Sequence, residues 1–433
     1  MPARVRAAAI GLCTGVVTFA QVPLLQDGAA ALRQAQLAWA LGDTPLPPSS
    51  LPFLEVGVGG ADSGGAYVPL LDGEGLGHGS RGWGVGLQGR ITRGGLSLQA
   101  TALLLRDHGY TEGVLQRVAL AYQTESGWRV ALEQTPFAWG AGLNGGELMG
   151  TAARPIPRFS AATPDLVWPL GRVQAETFLG RLEGHRPIPP WLGEPDARHT
   201  AVAAGLDLQR PLLWGGLLRT SFGSLVEANL GAVALSGGRS DAGQAAPGAT
   251  ARTEALAELR VRLPALADLV QARGAALHLS RSGAPDSDAL SLLPARNLVG
   301  ARVVWELWDV GLEYAGAAPT AMHRPFDQPA YLAGFSSRGD ALGPGWGREA
   351  ITRTVEVGLP LFLDGQGRLK VLRITAPEDH PLGAASWCFQ GEAQWRTPTG
   401  RLGASVASRH IEAPGAPPRW GWSVSAFQAF RVF

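Results

Sequence analysis

Two features of this sequence could indicate catalysis or cofactor binding: its glycine-rich motifs and its eight histidines. The spacing G-x-G-x-x-G, typical of dinucleotide-binding loops, begins at Gly77, Gly84 and Gly140. A chain with 59 glycines in 433 residues should contain about one such match by chance, and none of the three opens a predicted helix after a strand. The histidines are scattered, and the sequence contains no H-E-x-x-H, C-x-x-C or G-x-S-x-G motif. The sequence therefore predicts no catalytic centre, no metal site and no cofactor.

The composition favours a folded chain of low charge. Glycine contributes 59 residues and proline 32, whereas charged residues make up 17% and hydrophobic residues 45%. The hydrophobic share excludes a disordered chain, and the lack of a G-x-y repeat excludes collagen. Lysine and arginine together number 37 against 36 acidic residues, Lys370 is the only lysine, and no basic run occurs. This balance argues against a nucleic-acid partner.

The first fifty residues predict export followed by a short helix. Residues 1–20 begin with Arg4 and Arg6, continue with an apolar stretch of 14 residues and end on a small-residue cleavage site, as a secretory signal peptide does. That stretch is too short for a membrane helix. Within residues 21–50, a helix is predicted over 24–42, before a proline-rich run. Since Cys388 is then the only cysteine of the mature chain, no internal disulfide is expected.

Alternation of apolar and polar residues dominates the chain after residue 52. Trp83, Val85 and Leu87, for example, alternate with two glycines and a glutamine. Such runs predict strands with one apolar face, and lengths of about 9–11 residues match tilted membrane-spanning strands. The predicted strands number 18: 53–60, 82–91, 95–106, 113–123, 128–138, 172–182, 199–209, 212–222, 225–236, 252–263, 273–281, 296–307, 308–316, 352–363, 367–375, 386–396, 401–409 and 420–433.

The connections between these segments alternate in length. Those after even-numbered segments are mostly short, such as 92–94, and those after odd-numbered segments are mostly long, such as 139–171 and 317–351. Short periplasmic turns and long outer loops are typical of bacterial outer-membrane barrels, and closure leaves no strand edge unpaired in the bilayer. Two connections break the rule, because 183–198 is long and 210–211 is short.

We therefore predict an all-β protein in which residues 51–433 form a transmembrane antiparallel β-barrel of about 18 strands in the outer membrane. The helix of residues 21–50 is expected in the periplasm or inside the barrel mouth. Residues 420–433 form an amphipathic closing strand that ends on Phe433, similar to the signal read by the outer-membrane assembly machinery. Trp83 and Trp420 lie near strand ends, where aromatic residues meet the membrane interfaces. The expected partners are thus outer-membrane lipid and that assembly machinery.

Two stretches and two acidic positions carry a more specific pattern, which resembles the Wzi family of capsule-assembly outer-membrane proteins. The resemblance extends in element order over residues 50–433. The residues that carry it are Trp139-Gly140-Ala141-Gly142, Ala153-Arg154-Pro155-Ile156-Pro157, Glu176, Glu313-Tyr314-Ala315, Tyr331, Gly334 and Ser337-Arg338-Gly339-Asp340-Ala341-Leu342-Gly343.

This resemblance implies an 18-stranded outer-membrane barrel that binds capsular or extracellular polysaccharide and helps to hold or assemble it at the cell surface, without catalysis. Arg154 and Arg338 offer guanidinium donors to a charged or hydroxylated glycan. Trp139 and Trp346 offer flat faces to sugar rings. Asp340, within the second stretch, is a further candidate site residue.

Two alternatives stay open for these residues and for the function. Arg154 and Arg338 could instead pair with Glu176 or Glu313 inside the barrel and brace the long loops. A barrel of this size could also hold an aqueous pore and work as a porin or a sugar or polysaccharide channel. A soluble β-sandwich binding module is disfavoured, because it has no reason to show the asymmetry of connections.

Overall fold

The computed structural model places most of the described residues in one closed sheet. No helix among these residues is long and apolar enough to cross a membrane. The residues that the structure describes are 28–41, 52–65, 82–107, 110–140, 142–143, 148–149, 155–182, 211–236, 252–285, 292–317, 336–337, 340–341, 350–363, 365–375, 385–412 and 417–432. The predicted signal peptide, residues 1–20, lies outside them.

The elements follow the predicted alternation closely over most of the chain. In chain order they are α1 (Gly28–Leu41), β1 (Phe53–Gly65), β2 (Gly82–Arg93), β3 (Leu96–Asp107), β4 (Tyr110–Gln123), β5 (Arg129–Gln134), β6 (Arg158–Ala162), β7 (Leu166–Trp168), β8 (Gly171–Arg181), β9 (Leu212–Phe222), β10 (Val226–Ser236), β11 (Arg252–Arg262), α2 (Pro264–Leu269), β12 (Gly274–Pro285), β13 (Leu292–Val304), β14 (Asp309–Ala317), β15 (Ser336–Ser337), β16 (Asp340–Ala341), β17 (Ile351–Leu361), β18 (Gly365–Thr375), β19 (Ala385–Thr397), β20 (Gly400–Glu412) and β21 (Arg419–Arg431).

The sheet closes into a barrel. Each wall strand pairs antiparallel with the next along the chain, and β1 also pairs with β21. β6 and β7 both pair with β8 and lie end to end, so that they fill one position. The 19 strands of this sheet therefore occupy 18 positions, as predicted. β15 and β16 form a separate two-stranded hairpin.

One wall strand was not predicted. The strand made of β6 and β7 contains Pro164, and proline normally excludes a run from the interior of a sheet. Thr163 bridges the interruption, because its N–H donates to the Ala175 carbonyl at 2.9 Å and its hydroxyl oxygen accepts from the Ala175 N–H at 2.9 Å. The interpretation of 139–171 as one long loop is therefore wrong.

The predicted strand 199–209 lies outside the described residues. β8 pairs with β9 along the whole of both strands, from Gly171 opposite Phe222 to Arg181 opposite Leu212. The wall thus has no position between β8 and β9, and the predicted number of 18 agrees with the structure although one wall strand was missed. β5 is also shorter than predicted, ending at Gln134, because the chain leaves the wall just before Pro136.

With these corrections the two exceptions to the alternation of connections disappear. Residues 169–170 form a short turn, and residues 182–211 form one long connection. We call the end with the short turns the turn end and the other the loop end. In outer-membrane barrels the short turns face the periplasm. The connections at the turn end are 94–95, 124–128, 169–170, 223–225, 263–273 with α2, 305–308, 362–364 and 398–399.

The barrel is apolar outside and charged inside, the reverse of a water-soluble protein. Along β2, Trp83, Val85 and Leu87 are exposed, whereas Gln88 is buried. Large exposed hydrophobic side chains cover the outer wall, such as Leu132, which is 62% exposed. Buried charged side chains, among them Glu356 and Arg302, point into the lumen. An apolar band outside and a polar lumen are what a bilayer requires of a barrel.

Candidate functional site

The chain between β5 and β6, residues 135–157, enters the barrel, and we call it the inward segment. Its described residues are 135–140, 142–143, 148–149 and 155–157. Trp139 and Met149 form an isolated antiparallel bridge, with the Trp139 N–H donating to the Met149 carbonyl at 2.9 Å. The Leu148 N–H returns a bond to the Trp139 carbonyl at 3.0 Å. The two arms of the inward segment thus lie side by side.

An apolar cluster fixes one side of the inward segment to the barrel wall. Trp139 is 1% exposed and meets Phe137 and Phe178 edge to face, with ring centroids 5.7 and 5.2 Å away. Burying each large apolar side chain stabilises the folded state by about 1.5–3 kcal/mol. The ring of Trp139 is therefore covered by its neighbours. The other buried members are Leu148, Met149 and Ile156 of the segment and Leu182, Leu213, Leu217, Val233, Leu235 and Leu256.

Charged side chains hold the other side of the segment at Leu143. The Leu143 N–H donates to the Glu313 carboxylate on β14, and the Leu143 carbonyl accepts from Lys370 Nζ on β18 at 2.7 Å. Glu313 and Lys370 are 5% and 2% exposed. Because β14 and β18 lie far round the barrel from the apolar cluster on β8 to β11, the inward segment crosses the lumen.

The helix α1 is attached to the turn end of the lumen by ion pairs. Arg33 Nη2 lies 2.8 Å from Asp309 Oδ2, and Arg33 Nε lies 3.3 Å from Glu356 Oε1. Arg302 reaches the same two carboxylates, at 2.6 Å from Asp309 and 2.8 Å from Glu356. Lys370 Nζ is also 3.6 Å from Glu356. One network of buried charges therefore holds both α1 and the inward segment, and each buried charge has opposite charges beside it, as burial demands.

The helix and the inward segment also touch each other. Gln36 of α1 donates from Nε2 to the Gly142 carbonyl at 3.3 Å. At the end of α1, the backbone of Ala40 lies so close to Gly274 on β12 that a Cβ there would collide with the Ala40 carbonyl. Trp39 packs under the guanidinium of Arg262, 5.2 Å from its ring centroid. α1 therefore lies against lumen-facing residues near the turn end.

Glu176 lies on the lumen side of β8 and pairs with Arg219 of β9. Arg219 Nη2 is 3.1 Å from Glu176 Oε2. The buried arginine of the nearby wall is Arg158, which pairs with Glu133 at 3.3 Å and stacks on the Phe137 ring at 4.0 Å. Arg158 thereby joins the base of the inward segment to the wall.

The structure describes only part of the set of predicted site residues. Trp139 belongs to the inward segment and Glu313 contacts it. Glu176 pairs with Arg219 and has no hydrogen-bond or ion-pair partner among the described residues of the segment. The backbone of Asp340 pairs with Ser337 in the β15–β16 hairpin. Arg154, Arg338 and Trp346 lie outside the described residues, and their roles stay predictions.

Sequence reasoning missed several residues of the lumen network, chiefly Lys370, Arg302 and Glu356. A signal was present, because Lys370 is the only lysine of the chain and stands at an inward position of an alternating strand. What the alternation could not give was the partner, since Lys370 and Leu143 are 227 positions apart. Among the described residues, no group of three or more His, Cys, Asp or Glu could hold a metal ion.

Comparisons with known structures agree with this architecture. The fold is similar to that of Wzi, described as an outer-membrane protein involved in group 1 capsule assembly in Escherichia coli and as a carbohydrate-binding β-barrel. The match covers 95% of this chain and 94% of Wzi, with a TM-score of 0.64 and 12% identity. The outer-membrane protein OprD of Pseudomonas aeruginosa matches 88% of this chain and 94% of its own, with a TM-score of 0.50 and 11% identity. OccK3 (OpdO) of the same organism matches 88% of this chain and 96% of its own, with a TM-score of 0.51 and 10% identity.

No protein-family model and no curated protein matches the sequence. At such identities the likeness concerns the fold. The chain is thus an 18-stranded antiparallel barrel of the outer-membrane type, similar in fold both to Wzi and to OprD.

Proposed function

We propose that this protein is a non-catalytic outer-membrane barrel that binds capsular or similar extracellular polysaccharide and helps to attach or assemble it at the cell surface. The observation that carries the proposal is the inward segment, which crosses the lumen between the apolar cluster at Trp139 and the charged pair Glu313 and Lys370. A diffusion channel needs a free path along its axis, whereas a surface-binding protein does not.

The comparisons support the same function. The carbohydrate-binding barrel gives a TM-score of 0.64 over 95% of the chain, against 0.50 over 88% for OprD. The resemblance of the short motifs around Arg154 and Arg338 to the Wzi family supports the same function. We assign glycan binding to the loop end, where the connection between β14 and β17 carries Arg338, Asp340 and Trp346.

The root of that connection is held inside the barrel. Arg296 Nη1 donates to the Ala350 carbonyl at 2.6 Å, and Arg296 Nη2 donates to Thr352 Oγ1 at 3.2 Å. Ala350 is fully buried. An anchored root supports a binding role for the connection, because fixing one end of a loop lowers the conformational entropy that is lost when a glycan binds.

A porin or sugar channel is the second candidate. The observation that favours it is the likeness in fold to OprD. The two functions differ in what the purified protein does to a membrane. A polysaccharide-binding barrel should leave liposomes nearly impermeable to small sugars, and a porin should make them permeable.

The test combines a deletion strain with the purified protein. A strain without the protein should make normal amounts of polysaccharide but release more of it into the medium. Arg154→Ala and Arg338→Ala should raise that release if the guanidiniums bind glycan, and Arg172→Ala, an exposed arginine at the turn end that pairs with Asp165 at 3.7 Å, should not. Unchanged surface polysaccharide in the deletion strain together with high sugar flux through the unmutated protein would favour the porin.

A further inference from the structure

A continuous row of aromatic and cationic residues runs across six neighbouring strands of the outer wall. Cross-strand pairing places each member directly opposite the next, from β14 to β21. Burial alternates along these strands so that the row faces away from the lumen. We call it the outer row, and its members in order are Tyr314, Arg353, Arg373, Trp387, His410 and Trp420.

The middle of the outer row holds two arginines side by side. Directly opposite residues of antiparallel strands have side chains about 5 Å apart, and like charges at that distance repel. Among the residues that the structure describes, neither Arg353 nor Arg373 has a carboxylate partner, and Arg373 Nε is buried without a hydrogen-bond acceptor. The nearest outward acid on these strands, Glu412, lies 3.6 Å from His410. Within the described part of the chain, the pair thus has donors and positive charge but no anion beside it.

Aromatic rings frame this pair on both sides. The Arg353 guanidinium lies 5.9 Å from the ring centroid of Tyr314, and that of Arg373 lies 5.1 Å from the ring centroid of Trp387. His410 stacks on Trp420 with centroids 4.3 Å apart. Each ring orients the guanidinium beside it. The N–H groups of the two guanidiniums can then donate to a ligand that lies between Arg353 and Arg373.

The height of the pair on the barrel identifies the ligand. Arg353 stands eight positions before the end of β17, and Arg373 eight positions after the start of β18. With about 3.3 Å per residue and a strand tilt near 40°, the pair lies roughly 20 Å from the turn end, near the upper edge of an apolar band about 25 Å tall. Two apolar rows lie toward the turn end from the outer row: Leu312, Val355, Val371 and Phe389, then Val310, Val357, Leu369 and Val406.

We propose that Arg353 and Arg373 form a binding site for the phosphate of an outer-leaflet lipid whose acyl chains lie on these apolar rows. Two guanidiniums can share one phosphate through charge-assisted hydrogen bonds, and the anion would remove their mutual repulsion. Tyr314 and Trp387 are positioning residues for the two arginines. The site lies on the outer wall, so it is independent of polysaccharide binding at the loop end.

The test measures lipid A binding to the full-length protein in phosphatidylcholine nanodiscs, with dephosphorylated lipid A as the second probe. The double variant Arg353→Gln/Arg373→Gln should lose on the order of 100-fold in affinity for lipid A, since each charge-assisted hydrogen bond contributes about tenfold. The control Arg106→Gln/Arg181→Gln removes the same charge from exposed arginines on β3 and β8 that are not neighbours, and it should lose less than about threefold. Heat-modifiable gel mobility should confirm that both variants are folded.

Three outcomes would overturn the proposal. One is equal loss of affinity in both double variants, which would mean that the attraction is a general effect of net charge. Another is equal binding of dephosphorylated lipid A. A third is normal lipid A binding by Arg353→Gln/Arg373→Gln with lost binding of anionic polysaccharide, which would assign the outer row to the glycan. Failure of the polysaccharide proposal would leave lipid A affinity unchanged, so the two failures can be told apart.

Discussion

The two hydrogen bonds that join Glu313 and Lys370 to the backbone of Leu143 offer the sharpest test of whether the inward segment blocks the lumen. In the double variant Glu313→Leu/Lys370→Met, the Leu143 N–H loses its acceptor and the Leu143 carbonyl loses the ammonium that lies 2.7 Å away. Glu356 keeps Arg302 and Arg33 as neighbours, so its charge stays compensated. The part of the inward segment at Leu143, which we call its tip, should detach from β14 and β18. The part at Trp139 should stay on the wall, because the apolar cluster holds it there.

The expected size of the effect follows from the two bonds. A hydrogen bond to a charged group contributes about 1.5–3 kcal/mol, so the pair holds the tip with roughly 3–6 kcal/mol. At about 1.4 kcal/mol per factor of ten, losing even the lower value raises the population with a free tip by about 100-fold. This should convert a nearly closed barrel into one with frequent open periods.

The assay is single-channel conductance in planar bilayers, supported by liposome swelling with small sugars. The matched control is Glu176→Leu/Arg219→Met, which likewise replaces an acid by Leu and a cation by Met, in a lumen ion pair that contacts none of the described residues of the inward segment. We expect long openings only in Glu313→Leu/Lys370→Met. Equal conductance in the two double variants, or a steady open current through the unmutated protein, would refute the reasoning.

Three other changes test the structure elsewhere. Trp139→Ala should lower the free energy of unfolding by about 3–5 kcal/mol, measured by denaturant titration in detergent, because it empties the centre of the apolar cluster. Gly274→Val should displace α1, since its Cβ would collide with the Ala40 carbonyl, and protease should then cleave residues 28–41 in a barrel that stays heat-modifiable. A tag at Gly238, beyond β10, should be labelled on intact cells, and a tag at Thr399, in a short turn, should not; labelling at Thr399 would invert the orientation.

The sequence allowed the barrel to be predicted because its signal is local. A strand with one face in lipid and one in the lumen alternates every second residue, and β2 shows this directly in Trp83, Val85 and Leu87. The alternation of short and long connections then predicted closure of the barrel. The prediction failed where a local rule conflicted with the fold. Pro164 is unfavourable inside a strand, but Thr163 bonds to β8 and so joins β6 and β7 into one wall strand.

The inside of the barrel could be predicted far less well. Lumen residues contact partners that are distant in sequence, as Lys370 contacts Leu143 and Arg33 contacts Asp309, and alternation states only that such side chains point inward. The position of Trp139 shows the limit clearly. An exposed sugar platform and a buried brace require the same residue type, and only its packing against Phe178 distinguishes them.

The wall of this barrel does not decide between the two candidate functions, because a polar lumen and an apolar outside suit a porin and a surface-binding protein equally. The difference lies in how the chain uses the charged side chains of the lumen. In an open channel, water and solutes would surround groups such as Lys370, Arg302 and Glu356. Here these groups are at most 3% exposed, and they hold the backbone of the inward segment and the side chains of α1. Charges used to fix polypeptide inside the barrel are unavailable to guide a solute through it, and this use of the lumen is our main reason for preferring the binding function.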